Sequence, residues 1–353
     1  MASSDPYPVE AVEKARLAEA TIWAVIHVGD VLVAGLSSGH LALWHVRLSA
    51  VSDATRAKLV AVGSAVYSLA LMDGTHLACG CDQFLAAYEW RHLVAALSEP
   101  RAVNRSVPVQ KIAVPAEANA LAWDAAQKRL WVGAGEGVYA WRTNDGALET
   151  CGPGHRGSTL AIRWGLDGVL TSASEDGTVL RYDDKAQKVV STFTAPFPDA
   201  YCAAVQETTS SGKTIVTVAG GVEPRHNFVA KSSGFVATFD SSSGQCTASQ
   251  KLDDGGPCRD VAGPYLATDS GVFGRRDDDD GSYAPLSIPN LRVTSPAVIA
   301  LLDDDVARRW GLSSSSSSEE EESLDRRAFI VAGAPPVVDL CTRSRCHRSL
   351  RVL

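Results

Sequence analysis

The sequence predicts an all-β fold closed into a seven-bladed β-propeller, and three observations carry that prediction. A three-strand grammar recurs along the chain, and each copy ends on an aromatic residue or a positional equivalent. The length of 353 residues is more than twice the roughly 150 of an average domain, which suits one repeat-built unit. A composition 45% hydrophobic and 21% charged supplies a large core and excludes wholesale disorder or a collagen-like chain.

Ahead of the repeats, Val9 to Ala20 sets Val12, Ala15 and Ala20 among Glu, Lys and Arg without a Gly or Pro. This reads as a short amphipathic helix capping an edge of the ring. Residues 1–20 are thus expected to form a tail and helix, and 21–353 the propeller. The first unit, Ile26 to Val46, is an apolar strand, a Gly-Asp turn, Val31 to Gly35, a Ser-Ser-Gly turn, and a strand ending near Trp44. The pattern returns at Val66 to Tyr88, Ala120 to Trp141, Ala161 to Tyr182 and Ala203 to Phe239.

The closing aromatics Trp44, Tyr88, Trp141, Tyr182 and Phe239 are spaced by 44, 53, 41 and 57 residues. A further 102 residues separate Phe239 from Cys341, the expected last equivalent position, which leaves room for two more units. The sixth, Val261 to Ile288 with Asp277 to Asp280 in its turn, is assigned from length and position. Kelch-type blades would need a recurring Gly-Gly doublet, whereas only Gly220-Gly221 and Gly255-Gly256 occur.

Four short strands repeating every ~40 to 45 residues are the signature of WD40-type blades. The fourth unit shows it most fully, with Gly154-His155 followed by Leu160 to Trp164, Val169 to Ser174, Glu175-Asp176-Gly177-Thr178 and Val179 to Asp183. His155, Ser172, Asp176 and Tyr182 are expected to form a structural blade network, linking outer loop, second strand, tight turn and third strand by hydrogen bonds.

Several segments lie outside the repeat. Residues 312–326, with Ser313 to Ser318 and Glu319 to Glu322, are too polar to repay their ordering entropy and read as a disordered loop in the last blade. Serines followed by acids could suit an acid-directed kinase, but a solvated spacer is the favoured reading. Arg343, Arg345, His347, Arg348 and Arg351 form a basic cluster. Two readings stand side by side: an anion or partner contact at Arg343, Arg345 and Arg348, or a charge-blunted edge strand at Ser349 to Leu353.

The net charge of -8 disfavours a chain-wide grip on nucleic acid, so RNA contact is expected to be local or indirect. No signal-like segment or ~20-residue apolar run is visible, and a soluble intracellular chain is expected. The eight cysteines, at 79, 81, 151, 202, 246, 258, 341 and 346, lack zinc spacing and read as reduced thiols. Cys79 and Cys81 would share a face of one strand, yet two ligands make no metal site. No cofactor is expected.

Catalytic patterns yield to turns. Gly35-Leu36-Ser37-Ser38-Gly39 matches the Gly-x-Ser-x-Gly expression, but a nucleophile elbow needs a helix next and strand-forming His40 to Val46 follows. Gly133-Ala134-Gly135-Glu136-Gly137 fits neither the dinucleotide fingerprint nor a Walker A loop. His155, Asp176 and Ser172 contain the residue types of a hydrolytic triad, but a blade-stabilising network uses the same residues at the same spacing.

With those residues in view, the order of features resembles the THO complex subunit 6 family of the nuclear TREX assembly. The likeness runs through AVEKARLAEATIWAVIHVGDVLVAGLSSGHLALWHV (Ala11 to Val46), AVYSLALMDGTHLACG (Ala65 to Gly80), NALAWDAAQKRLWVGAG (Asn119 to Gly135) and LTSASEDGTVLRYD (Leu170 to Asp183). A weaker match ends with AFIVAGAPPVVDL and SLRVL. The resemblance implies a noncatalytic nuclear WD40 scaffold that joins other THO subunits, notably subunit 5, in mRNA processing and export. A substrate receptor of a cullin-type ubiquitin ligase is the alternative, although Tyr182-Asp183-Asp184-Lys185 lacks the arginine of the Trp-Asp-x-Arg motif such receptors carry. A propeller enzyme is the third reading.

Overall fold

The computed structural model describes residues 16–46, 57–98, 103–104, 107–152, 154–165, 167–210, 213–223, 232–276, 282–310, 312, 328–342 and 345–351. Seven antiparallel sheets follow one another in chain order, each running from an inner first strand to an outer fourth strand. The first strands are Ile22–Val28, Val66–Met72, Ala118–Asp124, Thr159–Trp164, Ala200–Ser210, Cys258–Ala262 and Ser295–Leu301. Each touches its counterpart in the next sheet, and the seventh returns to the first. The protein is therefore a seven-bladed β-propeller.

The second strands are Val31–Leu36, His76–Cys81, Arg129–Ala134, Val169–Ser174, Lys213–Val222, Tyr265–Thr268 and Phe329–Ala334. The third strands are His40–His45, Phe84–Glu89, Gly137–Arg142, Thr178–Asp183, Ser233–Asp240, Gly271–Arg275 and Val337–Thr342. The fourth are Lys58–Ala61, Gln110–Ala113, Leu148–Thr150, Lys188–Thr194, Cys246–Leu252, Tyr283–Pro285 and Arg345–Arg351. A short strand, Val103–Asn104, leaves the second blade and adds in parallel to the outer edge of the first.

The repeating residue choices follow from the wedge shape of the gap between blades. Near the axis the sheets almost touch, and the first-strand position just after a shared β-bulge holds Ala24, Ser68, Ala120, Ala161 and Ala204 in the first five blades. Second strands end in small residues for the same reason. A Cβ on Gly80 would stand 2.3 Å from the carbonyl oxygen of Ala118 in the next blade. Farther out the gap widens and larger side chains fill it. Counted from the bulge, Trp44, Tyr88, Trp141, Tyr182, Phe239 and Cys341 occupy one register position, paired with Leu32, Leu77, Leu130, Leu170, Val216 and Phe329. Each packs into the seam with the preceding blade.

One apolar cluster fills each of the seven seams. The sixth blade departs from the rule, because exposed Arg275 holds the register position of the aromatics and Phe273, two residues earlier, fills the seam.

Among the described residues the first and last sheets exchange no strand where the ring closes. Their seam is apolar, and the Trp44 indole and the Ala57 amide both donate to the Arg351 carbonyl, each at 3.0 Å. Residues 16–18 are helical, and Leu17 and Ala20 are buried in this seam, whereas 9–15 lie outside the described residues. The helix Asp304–Arg309, which the repeat pattern does not announce, adds Val306, Ala307 and Trp310 to the same cluster. A second short helix, Trp90–Ala96, follows the third strand of the second blade. Of the loop expected at 312–326, only Leu312 falls among the described residues, and it is buried in the closing seam. Asp277 to Asp280 also lie outside them.

Candidate functional site

The fourth blade carries the network built around His155. Its three-residue turn, Glu175-Asp176-Gly177, joins the second and third strands, and Gly177 takes the left-handed φ of +78°. The Asp176 carboxylate accepts the Arg156 amide at 2.8 Å, the Thr178 amide at 2.8 Å and the Thr178 hydroxyl at 2.6 Å. Because that hydroxyl gives its proton to Asp176, its lone pair faces His155 Nδ1 at 3.1 Å. The Nδ1 nitrogen then carries the imidazole proton, and Nε2 accepts from the Ser172 hydroxyl at 2.9 Å.

Burial lowers the His155 pKa against the opposing pull of Asp176, so the ring is neutral at pH 7. Burial works to raise Asp176, but the donors from Thr178 and Arg156 outweigh it and hold the carboxyl below its usual range. Sequence reasoning placed Tyr182 in this network. The structure instead gives that hydrogen-bonding role to Thr178, while the Tyr182 ring packs beside Trp131, Val138 and Leu170 in the seam with the third blade. An aromatic there answers the wedge between blades, not the polar demand of the turn.

Two charge clusters set at the seams have no signature in the sequence. In the seam between the third and fourth blades, Arg129 donates to Asp124 at 3.3 Å and to Asp184, and its guanidinium lies 4.3 Å from the Trp131 ring. Trp131 stacks on Trp164 of the fourth blade at 5.3 Å. Burial works against the charge on Arg129, but the two carboxylates more than offset it. Asp184, part of the Tyr182-Asp183-Asp184-Lys185 segment, is thus occupied inside the ring. In the next seam, Arg181 pairs with Glu207 at 3.1 Å and Asp167 at 2.8 Å, and Thr171 also donates to Glu207.

Two further acids, buried Asp339 and half-buried Asp260, accept backbone amides. Asp339 accepts the amides of Arg292 at 2.7 Å and Val293 at 3.0 Å and the Ser349 hydroxyl at 2.5 Å. Asp260 stands where the first five blades have Ala or Ser, and it accepts the amides of Val261 at 2.8 Å and Ile299 at 3.1 Å. Burial pushes its carboxyl above the usual range against the field of Arg163 and these amides.

The remaining expected positions are placed as follows. Ser37 and Ser38 lie in the hairpin between Val31–Leu36 and His40–His45, where Ser37 Oγ accepts the Thr21 amide at 2.9 Å. Gly135, with φ +52°, and Glu136 form another hairpin turn. Cys79 and Cys81 share the strand His76–Cys81, and all eight cysteines are free. Among the described residues no group of three His, Cys, Asp or Glu is arranged to hold a metal ion. Arg345 and Arg348 belong to the outermost strand of the last blade, and Arg343 lies outside the described residues. None of the described helices is long and apolar enough to cross a membrane.

Two faces of the ring differ in what they present. The rim bearing the turns between second and third strands also carries the first-strand bulges, and there Trp23 stacks on Tyr67 with ring centroids 4.8 Å apart and planes at 12°. The opposite rim carries the charge clusters of Arg129 and Arg181 at its seams.

This geometry defines a seven-bladed β-propeller in which His155, Ser172, Asp176 and Thr178 bond within one blade and Arg129 and Arg181 are held by carboxylates at the seams. The extracellular domain described as that of a hybrid two-component system from B. thetaiotaomicron superposes with a TM-score of 0.60 at 12% identity, over 91% of this chain and 38% of that one. The chain therefore spans well under half the length of that protein. A computationally designed protein, Ika8, superposes with a TM-score of 0.56 at 13% identity, over 94% of this chain and 87% of that one. These likenesses show the fold alone. No protein-family model and no curated protein matches the sequence.

Proposed function

We propose that this protein is a noncatalytic WD40-type scaffold subunit of a THO/TREX-like assembly, holding together proteins that process nascent mRNA and prepare it for nuclear export. The observation that carries the reading is the inward use of the polar chemistry. Ser172 is 4% exposed, and its hydroxyl is committed to His155. Arg129, Asp124 and Asp184 are committed to one another across a seam. A ring that spends these groups on its own rigidity offers its rims, with their loops of varied length, as contact surfaces. The resemblance of the repeat order to the THO complex subunit 6 family supplies the particular assembly, with subunit 5 as the first partner and the nucleus as the compartment. With a net charge of -8, contact with RNA is local or made through partners.

The test is affinity purification of the tagged full chain from nuclear extract, with and without ribonuclease. The expected result is recovery of THO subunits, subunit 5 among them, that survives ribonuclease. Recovery of a cullin adaptor in their place overturns the reading.

A further inference from the structure

We propose that the stacked Trp23–Tyr67 pair, with the carboxylates of Asp82 and Glu117 beside it, is a docking site for an arginine-bearing segment of a partner protein. The inference rests on the scaffold reading and names a surface and a partner chemistry for it.

Trp23 is 37% exposed, one of four large apolar side chains so open among the described residues. Its first-strand register explains why it cannot retreat. It is the bulged residue between Ile22 and Ala24, and an extra residue in a strand turns its side chain out of the ladder. Tyr67 is the bulged residue of the next blade, so the two rings meet on the same rim. The Tyr67 hydroxyl donates to Asp82 at 2.8 Å, which ties the phenol to the turn between the second and third strands of that blade. Ser64 donates to the other oxygen of Asp82 at 3.1 Å. The pair is therefore held in place before any partner arrives.

The charged side chains that act on the Tyr67 phenol, Asp82 and Glu117, are both acidic, and the nearby Lys111 ammonium lies over the Phe84 ring at 3.7 Å. Asp82 and Glu117 are both exposed, and among the described residues neither is in an ion pair. Burial together with these two carboxylates pushes the Tyr67 phenol up to about 12. The turns and loops farther around the same rim add exposed Glu136, Glu175 and Glu223. Of the cations on this rim, Arg259 is bound through two nitrogens to Asp269 at 2.7 and 3.0 Å, and exposed Arg156 stands at the fourth-blade turn, away from the pair. An aromatic face beside unpaired carboxylates favours a cation that is planar and weakly hydrated, and guanidinium fits both demands better than ammonium. The chain itself uses this pairing where Arg129 lies over Trp131 between Asp124 and Asp184. A polyanion such as RNA would be repelled from the Trp23–Tyr67 pair by Asp82 and Glu117.

The experiment uses the full chain and an array of ten-residue peptides of random context with a central Arg, Lys, norleucine or Glu. Binding of the best peptides is then measured by fluorescence anisotropy at two salt concentrations. Arginine peptides are expected to bind, with lysine weaker and norleucine and Glu at background. Trp23→Ala should weaken the arginine peptides at least tenfold. Asp82→Asn with Glu117→Gln should weaken them several-fold and flatten the salt dependence, with unchanged thermal unfolding showing that the fold is kept. Val190→Ala, at an exposed position in an outer strand, should change nothing. Equal binding of Arg and norleucine peptides, unchanged affinity in Trp23→Ala, or no binding to any peptide overturns the proposal. Purification of the Trp23→Ala chain from nuclear extract separates the two readings. Loss of peptide binding with THO subunits still recovered confines the failure to this site, whereas absence of THO subunits from the wild-type purification is a failure of the scaffold assignment.

Discussion

The third and fourth blades share one backbone register and fill it with opposite chemistry. Where the fourth blade has Ser172, hydrogen-bonded to His155, the third has Val132. The fourth blade turns through Glu175-Asp176-Gly177, whereas the third turns through Gly135-Glu136 and so has no place for an aspartate acting back on the loop. Its interior is instead filled by Trp131 and Trp141, both essentially enclosed and neither indole N–H bonded. A blade needs a full wedge and satisfied backbone, and the polar network is one of two ways to obtain them. Among the described residues the His155, Ser172, Asp176 and Thr178 bonds lie within this one blade.

The comparison can be broken at the seam between the two blades. Arg129→Met should leave Asp124 and Asp184 buried without a cation and lower stability by about 3 kcal/mol, read from the denaturant midpoint. A shift below about 1 kcal/mol would mean the two blades do not depend on this pairing. Within the fourth blade, His155→Ala leaves the Ser172 hydroxyl without its partner, takes from Thr178 the donor it accepts, and should cost about 2 kcal/mol.

The same residue predicts a pH dependence. The folded His155 pKa lies below 6.5, so the unfolded chain takes up the proton first. The stability from this residue is complete above pH 6.5 and is lost as pH falls through that value toward the folded pKa. Unfolding midpoints measured from pH 7.5 downward should decline in the wild type and decline less in His155→Gln.

Two tryptophan substitutions sharpen the contrast at smaller scale. Trp44→Phe removes ring volume and the bond to the Arg351 carbonyl that closes the ring, an expected loss of about 2 kcal/mol. Trp141→Phe removes similar volume but also relieves a buried N–H without an acceptor, so its cost should stay within about 1 kcal/mol. Equal thermal shifts for the two variants would show that the bonding state of the indole does not matter.

What was legible in the sequence was local. His155, Ser172 and Asp176 lie within one unit, and their residue types state their partners, so their meeting could be read from spacing. Cys341 could be placed from the blade count, and the register puts it opposite Phe329 in line with the aromatics. Tyr182 was assigned a hydrogen-bonding role because it closes the same unit, but its position answers the seam. The link from Arg129 to Asp184 spans 55 residues and two blades, and no single unit carries its signature. Sequence did hold a signal for the helix Asp304–Arg309, with Asp304 and Asp305 in the first turn and Arg308 and Arg309 in the last, matching the helix dipole. At six residues it was too short to show periodicity. The sixth blade was obscure because Arg275 occupies the register position where an aromatic would mark the repeat.

Hydrogen exchange on the full His155→Ala chain, read beside its partner recovery from nuclear extract, addresses most directly whether the fourth-blade network holds shape and does no chemistry. Protection should fall in the strands Thr159–Trp164, Val169–Ser174 and Thr178–Asp183 while the same partners are recovered. Unchanged exchange in those strands together with loss of the partners would contradict it.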